Sequence, residues 1–484
     1  MIPPSRPVPR WPVSRWAVFA VLLAVTLATR AQTFGNPLLG FDEQFYLLVG
    51  DRMVNGGAIP FVDIFDRKPI GLFLIYAAIR EMGGEGTIQY QLVAAGCALA
   101  TALGIERLAR RVTGEWGALA AGVAYLVWLT LLSGEGGQAP VFYNLPMVMA
   151  AAATLWLVER EGGPSWPAGV CPMLLVGLAM QVKYTALFEG VFFGIALLWA
   201  AWVAGQRGVR LAGAGTAWIT AALLPTLVAW GAYAAMGHGA AFVFANFVSQ
   251  WGRPTDPLAT SALGLARIAG ILAPLLIAAW FAPRGADRAD RFFRWWLAAA
   301  IAGLLIMHSF PSPHYGLPLI APAVLAAAPL LGMRRARWVT TLLIAVALAA
   351  SQLIIASQRR ARGGPSDAAR LVAAATPGTR CLFIYDGPPA LYRLTHSCLL
   401  SRIVFPGHLD TANEASADGL GVDPVAETKR IMARRPGAVM LELPLFERGN
   451  RATLAVVGRA LAKEYRLAAD IRTGKRHRLV YRLR

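Results

Sequence analysis

Long apolar stretches and short polar connections alternate along most of the chain, and the lengths of the apolar stretches set the first expectation. A helix needs about 17 to 25 mostly apolar residues to cross a bilayer. Runs of that size lie near residues 14–33, 88–109, 115–133, 141–158, 167–183, 186–204, 211–236, 263–282, 295–310, 315–332 and 338–357. They predict a polytopic α-helical membrane protein with eleven transmembrane helices. The run Ile70 to Ile79 is too short to span and predicts an interfacial or re-entrant helix after the first outer loop, residues 34–69.

Beyond Ser357 the period changes. Strand-like segments (Cys381 to Tyr385, Arg402 to Phe405, Ala438 to Leu443, Leu479 to Leu483) alternate with helix-like ones (Pro424 to Arg434, Arg451 to Tyr465). The pattern predicts a membrane core over residues 1–357 and a C-terminal α/β domain over residues 358–484.

Charge placement then orients the core. Arg6, Arg10 and Arg15 precede the first apolar run, which has no small-residue cleavage site after it and reads as a retained helix rather than a signal peptide. With that basic N-terminus inside, Arg107, Arg110 and Arg111, then Arg207 and Arg210, then Arg284 to Arg294, then Arg334 to Arg337 all fall on the cytoplasmic side. An odd number of crossings puts the C-terminal domain outside, together with Gly35 to Lys68, Ser133 to Pro140, Gly237 to Ala262 and Phe310 to His314. Function is expected where those outer loops converge.

Composition narrows the class. The 484 residues are 56% hydrophobic and only 15% charged, with mean hydropathy +0.51, which excludes an ordinary soluble enzyme. A net charge of +19 would suggest nucleic acid as a partner, but the basic residues of the core sit in short connections, as topology requires, so no nucleic acid is expected. The tail carries 22 Lys/Arg against 11 Asp/Glu, a solvated basic surface or a contact for anionic lipid headgroups. Cys97 and Cys171 lie in apolar runs; Cys381 and Cys398, 17 residues apart, are either a disulfide in an oxidising periplasm or two buried thiols. The sequence has no Walker-type phosphate loop, which disfavours an ATP-driven pump.

The first outer loop concentrates the chemistry. It contains Asp42, Glu43 and Tyr46, the turn Asn55-Gly56-Gly57, and Asp66-Arg67-Lys68-Pro69. A carboxylate at the membrane surface can be tuned as a general base, and Arg67 and Lys68, just before the interfacial run, can hold a lipid phosphate at headgroup depth. Pro69 suits the first turn of the helix that follows. A bland amphipathic loop whose charges face water is the competing account.

The order Asp-Glu, Tyr, a Gly-rich turn, then Pro-Phe-x-Asp-x-Phe-Asp-x-Lys-Pro, ahead of many spans, resembles the polyprenyl-phosphate-dependent membrane glycosyltransferases of the GT-C superfold. These include the lipid A aminoarabinose transferases and protein O-mannosyltransferases. The resemblance runs from Trp16 to about Ser357, is strongest from Phe41 to Pro69, and extends to His314-Tyr315 ahead of Leu317-Pro318-Leu319 and Pro322. It implies an inverting glycosyltransferase of a bacterial inner membrane, taking a sugar from a polyprenyl phosphate to an envelope glycolipid, glycan or protein on the periplasmic side. Asp42 takes the role of base, with Glu43 as its alternate or helper, and Lys68 lies near the donor phosphate. Relatives closest to aminoarabinose transferase carry an acid before that Lys; here Arg67 stands there, with Asp66 one further back. This weakens the case for a bound divalent metal, and the six histidines form no HExxH pair, so metal-independent transfer with no cofactor is expected.

Further candidates lie on the other outer connections. Arg253, His314 and Tyr315 are candidates for the donor phosphate, against helix capping and interfacial anchoring for the last two. Asp66, Tyr46, Glu135, Gln138 and Lys183 are candidates for binding substrate, against a tight connection for the loop carrying Glu135 and Gln138, and snorkelling for Lys183. Two other functional classes fit a polytopic chain of this kind: a transporter or flippase of lipid-linked sugars, and a non-catalytic envelope scaffold. The transporter would need access from both sides, whereas the candidate charges gather on one.

Overall fold

The computed structural model describes residues 14–307, 312–378 and 380–484; Arg6, Arg10 and Phe310 lie outside these. Each of the eleven long apolar runs contains a helix. In order these are α1 (Arg15–Arg30), α4 (Thr87–Ala109), α5 (Glu115–Leu131), α6 (Ala139–Glu159), α7 (Val170–Met180), α8 (Ala186–Val203), α9 (Gly208–Ala235), α12 (Leu258–Phe281), α13 (Arg288–Ile306), α14 (Ile320–Leu331) and α15 (Arg337–Arg362). Among the described residues, seven stretches are long and apolar enough to cross a membrane by length and composition. The large apolar side chains on their outer faces, among them Trp199, Ile219, Trp280 and Leu353, suit a bilayer rather than water.

The connections between these helices collect at two ends. At one end Arg111 pairs with Glu159, and Arg288 donates to the carbonyl of Val158. At the other, Arg30 donates to the carbonyl of Gly134, Tyr76 to that of Gly137, Tyr233 to that of Pro60, and Asn36 to that of Gly363. The second end holds every candidate residue of the core.

The first outer loop is more ordered than its composition suggests. A full helix, α2 (Phe41–Gly56), runs through it, followed by α3 (Ile70–Glu81) at the short apolar run. Left-handed glycines bound α2: Gly40 at φ 71° before it and Gly57 at φ 64° after it, a conformation that costs glycine nothing. Between them Phe45, Tyr46, Leu47, Leu48 and Val49 are buried. The helices α2 and α3 cross at Gly50, where a Cβ would fall 2.6 Å from the Tyr76 backbone. At Gly71 a Cβ would fall 2.7 Å from the Gln181 carbonyl oxygen. These bare contacts bring α3 against α2 on one side and the α7–α8 connection on the other.

Between α9 and α12 the chain forms α10 (Gly239–Val243), a π-helical turn (Phe244–Val248) and α11 (Ser249–Trp251), at the amphipathic stretch before Arg253. A 3-10 turn, Pro313–Leu319, leads into α14.

The helix α15 continues to Arg362 rather than stopping at 357, because Ser357 to Arg362 carries on its helical pattern into polar surroundings. The C-terminal region follows with α16 (Pro365–Ala375), β1 (Leu382–Ile384), α17 (Ala390–Leu394), α18 (Gly407–Asp410), α19 (Ala417–Leu420), α20 (Pro424–Ala433), β2 (Ala438–Leu443), α21 (Arg451–Glu464), β3 (Tyr465–Thr473) and β4 (Arg476–Leu483). Its sheet has the order β1-β2-β4-β3, with β1 and β2 parallel and the other pairs antiparallel. A disulfide joins Cys381 to Cys398.

Two strand assignments change. Arg402 to Phe405 forms no strand: Phe405 packs on Phe41 and Phe45 of α2, and the Arg402 guanidinium lies over the Phe65 ring. Tyr465–Thr473, of which the sequence pattern places only Tyr465, at the end of a helix, is a strand that pairs with β4 through the turn at Gly474 (φ 60°). A register shift between Leu467 and Ala469, with Leu467 exposed, breaks the alternation of buried and exposed residues, so no regular apolar pattern marks it.

Candidate functional site

The first turn of α2 presents Asp42 and Glu43 on different sides, because successive helical residues are turned by about 100°. Asp42 is half-buried, and its Oδ2 accepts a hydrogen bond from Gln138 Nε2 at 3.2 Å. Glu43 is 3% exposed and sits against Gly40 and Gly136. Burial and the neighbouring Asp42 charge push its carboxyl up to about 8. At neutral pH Glu43 is therefore mostly protonated, while Asp42 is the reachable acid of the pair.

Lys68 sits half-buried just before α3, among Asp66, Asp42, Tyr315 and Glu414. Burial alone would lower its ammonium; the surrounding carboxylates more than offset this and hold it above its ordinary value. Asp66 is buried, and burial raises its carboxyl against the pull of Lys68 and of the Arg67 backbone N–H that donates to it. The segment that carries these residues is fixed from below. Phe61, at φ 70°, is held in the left-handed region by packing with Phe73, Tyr233 and Phe242.

Three connections complete the wall. His314 and Tyr315 stack with ring centroids 4.7 Å apart, and Lys183 Nζ lies 4.9 Å from the Tyr315 ring centroid. Tyr184 donates to Asn246 Oδ1 at 3.2 Å, tying the α7–α8 connection to the π-helical turn. Arg253 follows that turn; Glu414, Tyr315 and Asp256 outweigh its burial and keep its guanidinium firmly charged.

Accessibility divides the predicted residues into two groups. Asp42, Lys68, Gln138, Lys183, Arg253, His314 and Tyr315 are half-buried and come together, as groups that touch a substrate must. Tyr46, Asp66, Arg67 and Glu43 are buried beneath them. Tyr46 packs between Phe73 and Tyr76 as part of the α2–α3 contact, so it supports the site and presents nothing to a ligand. Glu135 turns toward Arg30 and Arg362, whose charges partly offset the rise that burial imposes on its carboxyl, rather than toward Lys68. Arg67 faces the C-terminal region, where it bonds Glu414 at 2.6 Å, Ser249 Oγ at 2.7 Å and the Gly419 carbonyl at 3.1 Å. Glu189, in α8, accepts a hydrogen bond from Trp296 Nε1.

The C-terminal region closes over this end through contacts that no motif announces. Phe405 packs on Phe41 and Phe45, and His408 on Phe65. The Phe65 N–H donates to the Arg402 carbonyl at 2.8 Å, and Arg393 donates to Thr87 Oγ1 at 3.0 Å. Burial, with Arg67, Lys68 and Arg253 nearby, holds the His408 imidazole well below its ordinary value and hence neutral. Among the described residues no three His, Cys, Asp or Glu side chains are grouped to hold a metal.

The Asp42 carboxylate, gathered with Lys68 and Lys183 and with Arg253 beside Tyr315, can take a proton while the cations hold an oxyanion. The arrangement lies between the apolar helical bundle of a multi-pass membrane protein and a small C-terminal sheet. Residues 67–233 match the family model of dolichyl-phosphate-mannose-protein mannosyltransferases. The fold is similar to that of ArnT from Cupriavidus metallidurans bound to undecaprenyl phosphate, with TM-score 0.63 and 16% identity, covering 97% of this chain and 98% of that one. The apo form of the same protein gives TM-score 0.64 and 15% identity, with 96% and 98% covered. The archaeal oligosaccharyltransferase AglB from Archaeoglobus fulgidus, in complex with an inhibitory peptide and a dolichol-phosphate, gives TM-score 0.53 and 13% identity, with 89% and 70% covered. No curated protein matches the chain by sequence.

Proposed function

We propose that the chain is an inverting glycosyltransferase that moves a sugar from a polyprenyl phosphate to a hydroxyl of an envelope acceptor on the periplasmic face of a bacterial inner membrane. The observation that carries this reading is the meeting of the reachable Asp42 carboxylate with Lys68, Arg253 and Tyr315 at one end of an apolar bundle. Asp42 takes the proton of the acceptor hydroxyl as its oxygen attacks the anomeric carbon from the face opposite the lipid phosphate. The bond from that carbon to the phosphate oxygen breaks, and the departing phosphate is stabilised by Lys68 and Arg253, with Tyr315 and His314 as hydrogen-bonding groups beside them. Gln138 orients the base, and Lys183 lines the sugar side.

The orientation follows from charge. The end opposite the site carries Arg110, Arg111, Arg207, Arg288, Arg334 and Arg335, the bias expected of a cytoplasmic face. This leaves the N-terminus inside, and residues 358–484 outside as a periplasmic domain on the core of residues 1–357. The Cys381–Cys398 disulfide suits that oxidising compartment. The similarity of fold to a protein solved with undecaprenyl phosphate supports a polyprenyl donor.

The test is mass spectrometry of envelope lipids and glycans from cells lacking the protein, with and without the unchanged chain restored. The expected result is one sugar increment lost in the deletion and regained on complementation, which also names the acceptor. An unchanged envelope profile would overturn the proposal.

A further inference from the structure

We propose that Glu414, carried by the C-terminal region, is an anionic latch on the donor-phosphate site: it occupies Arg253 in the absence of donor, and the donor phosphate displaces it and frees residues 411–418. The inference rests on the reading above that Arg253 and Lys68 receive the phosphate.

The geometry is that of one anion between two guanidinium groups. Glu414 Oε1 lies 2.7 Å from Arg253 Nη2, and Oε2 lies 2.6 Å from Arg67 Nη1. A phosphate is the other common anion that offers two oxygens to arginines in this way, and a lipid-linked phosphate brought to Lys68 arrives beside this pair. The two arginines differ in freedom. Arg67 is 6% exposed and also bonded to Ser249 and Gly419, so it stays with the fold. Arg253 and Glu414 each have side chains 22% exposed, so their pairing exchanges with water far more readily.

The rest of the latch, residues 411–418, is polar as well, whereas Gly419 and Leu420 after it are buried and stay with the fold. Ser416 Oγ donates to the Gly252 carbonyl at 2.7 Å, Asn413 Nδ2 to Asp256 Oδ1 at 2.7 Å, and Arg448 Nη1 to the same oxygen at 3.2 Å. Water can replace each of these at small net cost. The neighbouring anchor is apolar: Phe405 against Phe41 and Phe45, and His408 against Phe65. Residues 402–408, with the buried Leu420 on the other side, therefore hold the C-terminal region in place while 411–418 lifts. Exchange of one anion for another keeps Arg253 neutralised in both states, and the buried Arg67 keeps its bonds to Ser249 and to the Gly419 carbonyl when Glu414 leaves.

The full chain in nanodiscs, titrated with undecaprenyl monophosphate, tests this. Glu414→Gln removes the competing charge at constant shape and should tighten binding about fivefold, the scale of one partly exposed ion pair at the upper end. Asn413→Ala, which loosens the latch without touching a cation, should tighten it by a smaller factor. Hydrogen exchange of residues 411–418 should rise when the lipid binds the unchanged chain, and should already be raised in Glu414→Gln. Weaker or unchanged binding in a normally folded Glu414→Gln chain would overturn the latch, because it would make Glu414 a brace for Arg253 or place the phosphate elsewhere. Continued protection of 411–418 on binding would do the same. Lys68→Met separates the two levels of the argument. If it abolishes binding while Glu414→Gln changes nothing, the latch fails and the donor site stands; if it leaves binding intact, the donor site and the latch fall together.

Discussion

Replacing Asp42 by Asn isolates the proton-transfer step from everything else the first turn of α2 does. The amide keeps the shape and leaves an oxygen to accept from Gln138, now 3.2 Å from Asp42 Oδ2. The lost charge removes an attraction to Lys68 and a repulsion of Glu43 together, so the folded state should change by less than about 0.5 kcal/mol, the usual range for a substitution outside the tightly packed interior. The catalytic loss should be far larger. A positioned general base contributes roughly 10²- to 10⁴-fold, about 2.7 to 5.4 kcal/mol of transition-state stabilisation at about 1.36 kcal/mol per tenfold. Glu43 offers no substitute, since it is 3% exposed, turned away by a helical step, and lifted by burial to about 8. In cells deleted for the protein and carrying Asp42→Asn, mass spectrometry should find the sugar increment at about 1% or less of the level restored by the unchanged chain. Melting and undecaprenyl phosphate binding should be close to unchanged. Transfer above a tenth of the normal level, from a chain inserted in normal amount, would refute the assignment of Asp42 as base.

Three other outcomes follow from the geometry. Glu43 has a folded-state value of about 8 against an ordinary 4.5, so its protonation-linked stabilisation is complete below about pH 4.5 and is lost as pH rises through about 8; Glu43→Gln should leave thermal melting nearly unchanged at pH 5 and raise it at pH 9. Gly50→Ala drives a Cβ to 2.6 Å from the Tyr76 backbone, and should cost about 1 to 3 kcal/mol as α2 and α3 part, seen as a lower melting temperature together with reduced transfer. Replacing both Cys381 and Cys398 by Ser opens a loop of 17 residues and should destabilise the C-terminal region by about 3 kcal/mol on loop-closure grounds; an equal drop in melting temperature of the unchanged chain on adding reductant, with none in the double variant, checks it.

The segments that bury themselves in lipid were legible because their signal is local and long. About twenty apolar residues in a row state their environment without reference to any other part of the chain, and a helix occupies each of the eleven runs. The disposition of arginines likewise assigns loops to one end or the other, and Arg111 with Glu159 meets there as that reading requires. The density of charge from Asp42 to Lys68, in an otherwise apolar chain, marked the first outer segment for chemistry. Its helix α2 was less legible, since Phe41–Gly56 mixes buried Gln44, Tyr46 and Asp51 with apolar residues and has no clear amphipathic stripe.

The roles within the site were decided by tertiary structure. Asp42 and Glu43 are adjacent acids in the sequence; only the packing of Gly40 and Gly136 around Glu43 makes one neutral and the other reachable. Arg67 and Lys68 are adjacent cations, yet one turns to Ser249 and Gly419 and the other to Asp42 and Tyr315. Glu414 stood in a stretch with no motif, more than 340 residues from Arg67 in sequence, and nothing local to it foretold a partner. Sequence determines where a residue must sit when the reason is its own transfer from water to lipid, an energy that adds up along a continuous run. Which of two neighbouring charges faces a ligand depends on desolvation and Coulomb interactions with residues from distant segments, and those distances exist only once the chain has folded.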